Sequence, residues 1–260
     1  MPHSAAARAF RLETFREVTS TNDEAIARAR NGDAGRLWIV AGTQTHGRGR
    51  SGRCWASPSG NLYASLLLID PAPAQRAAEL GFVCGVAAAH ALRDILEGDK
   101  RLAIKWPNDI LHSGAKLCGI LLESAFLPDG RLACAAGIGV NCASHPGNTP
   151  YPATDLAAIA GAPAAPPLVF AKLSAAMADW LDVWGAGAGF ESIRAEWLSL
   201  AAGVGARISV KRPSHTVEGI FQTIDPSGRL IVALDQGVSA IDAGDVFFLP
   251  PCSAAAAGHG

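Results

Sequence analysis

The segment that most restricts how this chain can fold is Gly42–Trp55, GTQTHGRGRSGRCW. Gly47, Gly49 and Gly52 satisfy G-x-G-x-x-G, which in a doubly wound α/β fold closes a strand and opens a helix whose N-terminal amides hold a pyrophosphate. Here the segment runs into Trp55, Pro58 and Gly60 and then into an apolar strand, Leu62–Ile69, so no helix is there to complete that site. The chain also contains no G-x-x-x-x-G-K-[ST] phosphate loop. A dinucleotide-binding sheet is therefore excluded. There remains a set of glycines that let backbone approach a ligand closely, with Arg48, Arg50 and Arg53 among them. The arginine fork suits carboxylate and phosphate oxygens, although a Gly/Arg turn taken alone is as readily a solvated loop.

Two styles of chain surround this segment. Thr21, with Glu24 three residues on, has the form of a capping box and opens a helix through Ala25–Arg30 that stops at Gly32. Arg36–Ala41 reads as a strand, and about Gln75–Leu96 as one long Ala-rich helix ended by Gly98. Leu102–Lys105, Leu117–Glu123 and Arg131–Val140 read as strands, with turns at Ser113-Gly114 and Asp129-Gly130. Past a Pro/Gly-rich stretch from Ser144 to Pro152, helices are expected near Asp155–Ala160, Leu168–Trp184 and Phe190–Leu200. From about Gly205 the period changes. Arg207–Lys211, Val217–Ile224, Leu230–Leu234, Val238–Ile241 and Val246–Leu249 read as short strands, with turns at Pro226-Ser227-Gly228 and Ala243-Gly244. That pattern fits a small β-barrel or sandwich. Residues 1–12 and Ser253–Gly260 read as loose tails.

Composition narrows the function classes. With 49% hydrophobic and 17% charged residues in 260, the chain is an ordinary globular protein. A net charge of −1 gives no general attraction to nucleic acid, so an anion site must be a local cluster of cations. No apolar run reaches the ~18 residues that span a bilayer. The six cysteines form no C-x-x-C pair and come after no apolar secretory segment, so reduced thiols in a cytoplasmic protein are expected. Cys142 and His145 have metal-like spacing but no second pair to complete a zinc site.

Two further segments carry chemistry. In IKWPNDIL (Ile104–Leu111), a rigid turn sets Asn108 and Asp109 at the mouth of an apolar strand. In AKLCGILLES, Lys116 opens a strand just before Gly119, a place where a lone lysine is ordinarily solvated. Taken in order, TSTN (Thr19–Asn22), GTQTHGRGRSGRCW, KWPND (Lys105–Asp109), KLCGILLE (Lys116–Glu123) and GIGVN (Gly137–Asn141) closely resemble the motifs of biotin–protein ligases. The resemblance covers roughly residues 14–200, and the closing β region resembles that family's small C-terminal domain.

The resemblance implies an α+β fold: a mixed sheet flanked by helices, like that of class II aminoacyl-tRNA synthetases, over 14–200. An SH3-like barrel over 201–250 and flexible tails at 1–13 and 251–260 complete it. It also implies a two-step reaction, in which biotin and ATP give biotinyl-5′-AMP and a lysine of a biotin carrier domain, as in acetyl-CoA carboxylase, then takes the acyl group. Two anions must meet in the first step, and at ~4 Å with an effective dielectric near 20 they repel by about 4 kcal/mol, so cations are required. By match to the family, Lys116 contacts the biotin carboxylate and the α-phosphate, while Arg48 and Arg50 lie over biotin and the phosphates on a loop that orders with ligand. Ser20, Thr21, Asn22 and Gln44 meet the ureido ring, and Gly47, Gly49 and Gly119 admit biotin closely. Arg53, Trp55, Asn108 and Asn141 serve the nucleotide. Asp109 is a candidate to position the acceptor amine. Mg2+ is expected on phosphate oxygens, with no protein cage of its own.

Members that repress transcription carry an N-terminal helix-turn-helix. Here the motifs begin by about Thr14, so an enzyme-only type without nucleic-acid or membrane partners is expected, as a monomer or weak homodimer. A lipoate or octanoyl ligase of the same fold is the alternative enzyme. A non-catalytic biotin sensor, or a transcription factor with a degenerate ligase domain, is the alternative from another class.

Overall fold

Seven strands pair into one sheet because the first part of the chain alternates short β-rich runs with only a few helices. The computed structural model describes residues 10–149 and 151–249. In chain order they form β1 (Arg11–Val18), α1 (Thr21–Arg30), β2 (Leu37–Gln44), β3 (Leu62–Ile69), α2 (Leu80–Ile95), β4 (Leu102–Lys105), β5 (Asp109–His112), β6 (Ala115–Phe126) and β7 (Leu132–Val140). The spatial order is β1-β2-β3-β7-β6-β5-β4. The edge pair β1–β2 is parallel and every other pair is antiparallel, so the sheet is mixed.

Strand alternation gives the sheet two different faces. Leu66, Leu68, Cys134, Ala136 and Ile138 point to one side and join the main core. The Ala-rich α2, buried along most of its length, packs there together with α4 (Pro166–Trp184) and α5 (Phe190–Ser199). Phe82 of α2 meets Phe190 and Trp197 of α5 edge-on, with ring centroids 5.6 and 5.5 Å apart. On the other side Leu37, Ile39, Leu67, Ala133 and Ala135 receive Ala25 and Ala29 of α1. The short helix α3 (Leu156–Ala160) comes after β7, with Asp155 as its N-cap accepting from the Ala158 N–H.

The chain leaves α5 by extending the sheet edge: Ile104 N–H donates to Leu200 O and Ala202 N–H to Ile104 O, both at 2.8 Å. It then forms β8 (Arg207–Lys211), β9 (Thr216–Ile224), β10 (Leu230–Ala233), β11 (Val238–Ile241) and β12 (Asp245–Phe248). These five make an antiparallel sheet in the order β11-β10-β9-β8-β12, consistent with an SH3-like unit. Among the described residues no helix is long and apolar enough to cross a membrane. The described cysteines are free thiols, and Cys252 lies outside the described residues.

Several expectations are corrected. Residues 11–13 are strand, not tail, because β1 pairs with β2 from Arg11 on. The rest of the expected tails lies mostly outside the described residues. Thr21 is not a cap: Ser20 holds the N-cap position without a side-chain bond, and the Thr21 hydroxyl turns to Gln44 and Ser65. Ala74–Glu79 winds as a tighter 3-10 turn before α2, so the expected helix from Gln75 begins as an α-helix only at Leu80. Arg36 takes φ of 54°, which delays β2 to Leu37.

Asn61 ties the end of β7 to the start of β3. Its Oδ1 accepts from the N–H groups of Cys142, Ala143 and Ser144 at 2.8–3.2 Å, and its Nδ2 donates to Ser144 O. Asn61→Ala would strand these N–H groups and is expected to cost roughly 3 kcal/mol in urea denaturation. A loss under about 0.5 kcal/mol would show that other acceptors replace the side chain.

Candidate active site

The α1 side of the sheet is covered at one end only. Ser65 and Gly137 pair across β3 and β7, Tyr63 pairs with Gly139, and Gly139 pairs with Gly119 of β6, so these residues share the face that α1 occupies further along. Three glycines leave a floor without side chains. A Cβ on Gly119 or Gly139 would lie 2.7 Å from the Trp55 ring, and one on Gly137 would lie 2.6 Å from Asn22 Oδ1. The indole of Trp55 and the amide of Asn22 therefore rest directly on backbone.

A β-bulge aims Lys116 at this floor. On β5 and β6, Ile110 pairs with Cys118 but Leu111 pairs with Lys116, so Leu117 is the extra residue and the alternation of β6 shifts by one. Lys116 then shares the face of Gly119 and Asp109. Its Nζ lies 2.6 Å from Asp109 Oδ1 and 5.1 Å from the Trp55 ring. The Tyr151 hydroxyl donates to Asp109 Oδ2. Burial and the adjacent carboxylate push the Tyr151 hydroxyl pKa well above its usual value, so it stays a donor.

A polar cluster lies at the α1 end of the cleft. Thr21 N–H donates to Gln44 Oε1 (2.8 Å), and Gln44 Nε2 donates to Ser57 Oγ (3.0 Å). The Ser65 hydroxyl, 2.7 Å from Thr21 Oγ1, donates to Asn22 Oδ1 (2.6 Å). Asn22 Nδ2 donates to Leu121 O and to Glu123 Oε2 (2.7 Å). Ser20, Thr21, Asn22 and Ser65 are all buried, so the cluster has one set of rotamers.

The glycine–arginine segment folds over the cleft as a small hairpin: Arg48 bridges Cys54, Gly49 N–H donates to Arg53 O, and Trp55 N–H donates to Gly47 O. Its three arginines are fastened to three different places. Arg48 grips Asp23 bidentately at 2.7 Å and reaches Glu123 at 3.0 Å, which holds the Asp23 carboxyl below its usual pKa. Arg50 donates to Asn108 Oδ1 (3.4 Å) and to Gly244 O (3.3 Å). Arg53 donates to Asp245 Oδ1 at 2.8 Å. Gly244 and Asp245 belong to the C-terminal sheet and the turn before its last strand, which thus contribute a wall of the cleft.

Apart from Gly47, every residue expected at the site lines this one cleft. Gly47 sits beneath the hairpin, where a Cβ would meet Ser57 Oγ and Trp55 O at 2.6 Å. Asn141 is turned inward, its Nδ2 donating to Thr154 O (3.0 Å) and Lys116 O (3.4 Å), so it braces the Lys116 backbone. Sequence reasoning misses Ser65, Lys105, Tyr151 and Asp245. Lys105 stands inside KWPND and Asp245 directly after the Ala243-Gly244 turn. Ser65 and Tyr151 carry no signal of their own.

Known proteins share both parts of this architecture. Residues 15–141 match the biotin/lipoate A/B protein ligase family, and residues 204–249 match the biotin protein ligase C terminal domain. The chain is 42% identical over 237 residues to a biotin–[acetyl-CoA-carboxylase] ligase of Paracoccus denitrificans, covering 88% of this chain and 97% of that one. It is 29% identical to the bifunctional ligase/repressor BirA of Bacillus subtilis, over 88% of this chain and 71% of that one. Among solved structures, a biotin protein ligase from Aquifex aeolicus in complex with biotin and ATP superposes with a TM-score of 0.77 at 26% identity, covering 93% and 99% of the two chains. A Leishmania major biotin protein ligase in complex with biotinyl-5-AMP gives 0.64 at 25% identity, covering 90% and 99%. Fold and cleft together define an enzyme of the biotin/lipoate protein ligase class. Within that class, the chain belongs to the biotin protein ligase family.

The Arg53–Asp245 pair is half exposed, so its loss should barely affect global stability, by no more than ~1 kcal/mol or about 2–4 °C in Tm. Asp245→Ala is nevertheless expected to release the hairpin, and limited trypsin digestion should cut after Arg50 or Arg53 several times faster than in the parent. Equal cleavage rates would show that the C-terminal sheet does not hold the hairpin.

Proposed function

We propose that the chain activates biotin with ATP to biotinyl-5′-AMP and passes the biotinyl group to a lysine of a biotin carrier domain, in keeping with the name of its Paracoccus relative. The observation that carries this reading is the placement of Lys116 over the glycine floor, between a neutral polar cluster at one end and the arginine hairpin at the other. The cluster of Ser20, Thr21, Asn22, Gln44 and Ser65 offers donors and acceptors suited to a ureido ring. A carboxylate at the far end of such a ligand comes to Lys116.

The first step brings that carboxylate to the α-phosphate. Lys116 neutralises the approach from below and Arg50 and Arg53 from above, so charge that would repel is stabilised as it develops. Lys116 already sits against Asp109, and an arriving anion competes for it. Asp109, freed from Lys116 but still bonded to Tyr151, then faces the incoming amine and holds its ammonium. Asn108 and Asn141 keep Arg50 and the Lys116 backbone in place. Trp55, lying on Gly119 and Gly139, adds an apolar surface beside Lys116 that keeps water from the mixed anhydride.

A magnesium ion, if the nucleotide carries one, would find no cage of side chains in the cleft. The carboxylates lining or facing the cleft are engaged by cations, Asp23 and Glu123 by Arg48, Asp109 by Lys116 and Asp245 by Arg53. No group of three or more His, Cys, Asp or Glu suited to a metal occurs among the described residues. The protein's donors thus do not fit a dedicated cage, and a magnesium ion would have to take its ligands chiefly from the nucleotide.

Biotin-dependent exchange of labelled pyrophosphate into ATP tests the reading. Exchange is expected with biotin and not with lipoate, and Lys116→Ala should lower it by about 10²–10³. Exchange that requires lipoate, or none with biotin, would overturn it.

A further inference from the structure

Lys105 is the one cation of the cleft without an oxygen partner among the described residues. It pairs with Asp109 across the β4–β5 hairpin and therefore points to the same face. It is buried, with 6% of its surface exposed, and lines the cleft. Arg48, Arg53 and Lys116 each have a carboxylate, and Arg50 has an amide and a carbonyl oxygen. The contacts of Lys105 are instead the ring of Tyr151, 3.8 Å from Nζ to centroid, and the ring of Phe247 at 5.6 Å. No direct ion pair therefore offsets the burial of its ammonium. Two aromatic faces tolerate the cation without demanding it.

We propose that Lys105 is the proton acceptor for the incoming lysine in the transfer step, held between Tyr151 and Phe247 so that its amine opens onto the acyl site. This rests on the reading of the chain as a biotin ligase. The acceptor lysine arrives as an ammonium and must become an amine before it can attack. An ordinary carboxylate is about six orders of magnitude too weak a base to take that proton efficiently. Lys105 is far better matched, because burial lowers its pKa to about 8. Asp109 on β5 and Asp245 on β12 oppose that shift, while Lys116 on β6 and Arg53 on the hairpin reinforce it. Tyr151 stays neutral and leaves the balance to those four.

Neutral Lys105 takes one proton from the acceptor ammonium, and the freed nitrogen pair bonds to the acyl carbon. The bond from that carbon to the phosphate oxygen breaks, and its electron pair leaves with AMP. The nitrogen loses its second proton to water, and Lys105 then releases its own proton to solvent.

The test is single-turnover transfer from preformed biotinyl-5′-AMP to a biotin carrier domain, measured against pH, in the parent, Lys105→Arg and Lys105→Met. In the parent the rate should rise with pH through about 8 and level off. Both variants should transfer about 10²-fold more slowly and lose that inflection, while Lys105→Arg, which keeps the charge, holds pyrophosphate exchange within about threefold. Hydroxylamine, a nucleophile already neutral at pH 7, should capture the biotinyl group from all three proteins at similar rates. Wild-type transfer and pH profile in Lys105→Arg would make Lys105 an anion-binding cation only and overturn the proposal. Hydroxylamine capture lost in step with transfer would overturn it too, since Lys105 would then merely hold the intermediate. Absence of biotin-dependent exchange in the parent would instead strike the ligase reading itself, and this inference with it.

Discussion

Five cationic side chains, Arg48, Arg50, Arg53, Lys105 and Lys116, meet in one half-buried cleft, and such a concentration of like charge is stable only if compensated. The compensation determines much of the tertiary arrangement. Asp23 comes from α1, Glu123 from the far part of β6, Asp109 from β5 and Asp245 from the C-terminal sheet. Each ion pair thus ties a different element to the cleft. Singly, such partly exposed pairs contribute ~1 kcal/mol or less. Their importance lies in geometry: they fix where a flexible glycine hairpin can rest, which apolar packing cannot do for a segment with so few apolar side chains. An anionic ligand would compete for the paired cations Arg48, Arg53 and Lys116.

How much of this is legible in the sequence depends on the distance over which each signal acts. β3 is legible to the residue because LYASLLLI is apolar nearly throughout, as a strand buried on both faces must be. The edge strand β1, RLETFREV, reads partly as a tail because most of its side chains are exposed and only pairing with β2 makes it a strand. β5 is hidden in DILH at the end of KWPND, since four residues are too few to show a period. At the site, the local motifs point to Lys116, the arginines and the polar residues after β1. Their partners are invisible: Arg53 and Asp245 lie 192 positions apart, and no period connects them. Ser65 looks like an interruption in an apolar strand, yet it is the hydroxyl that orients Asn22. The bulge at Leu117, without which Lys116 would face the core, has no sequence signature at all.

The C-terminal sheet gains a physical role from these contacts. Its strand β12 begins at Asp245 and carries Phe247, so one short edge delivers a carboxylate to the hairpin and an aromatic face to Lys105. Gly244, just before it, offers its carbonyl to Arg50 and has no room for a side chain, since a Cβ there would lie 2.7 Å from Val210 Cγ1. The sheet is therefore joined to the chemistry through backbone and side chains within the short run from Gly244 to Phe247. A change in its docking would be felt first by the hairpin arginines and by Lys105.

The two lysines of the cleft show how environment separates roles within one residue type. Lys116 has a carboxylate at 2.6 Å as a partner for its ammonium, which suits the charge-neutralising part proposed for it. Lys105, two strands away on the same face, has aromatic rings where Lys116 has Asp109, and burial favours its neutral form. The hairpin β4–β5 and the bulge in β6 bring both to the same cleft. The proposed reaction asks for a fixed positive charge in its first step and a base in its second. A paired lysine and one whose neutral form burial favours stand on one face of the sheet, so the proposed reaction could draw both from the same surface.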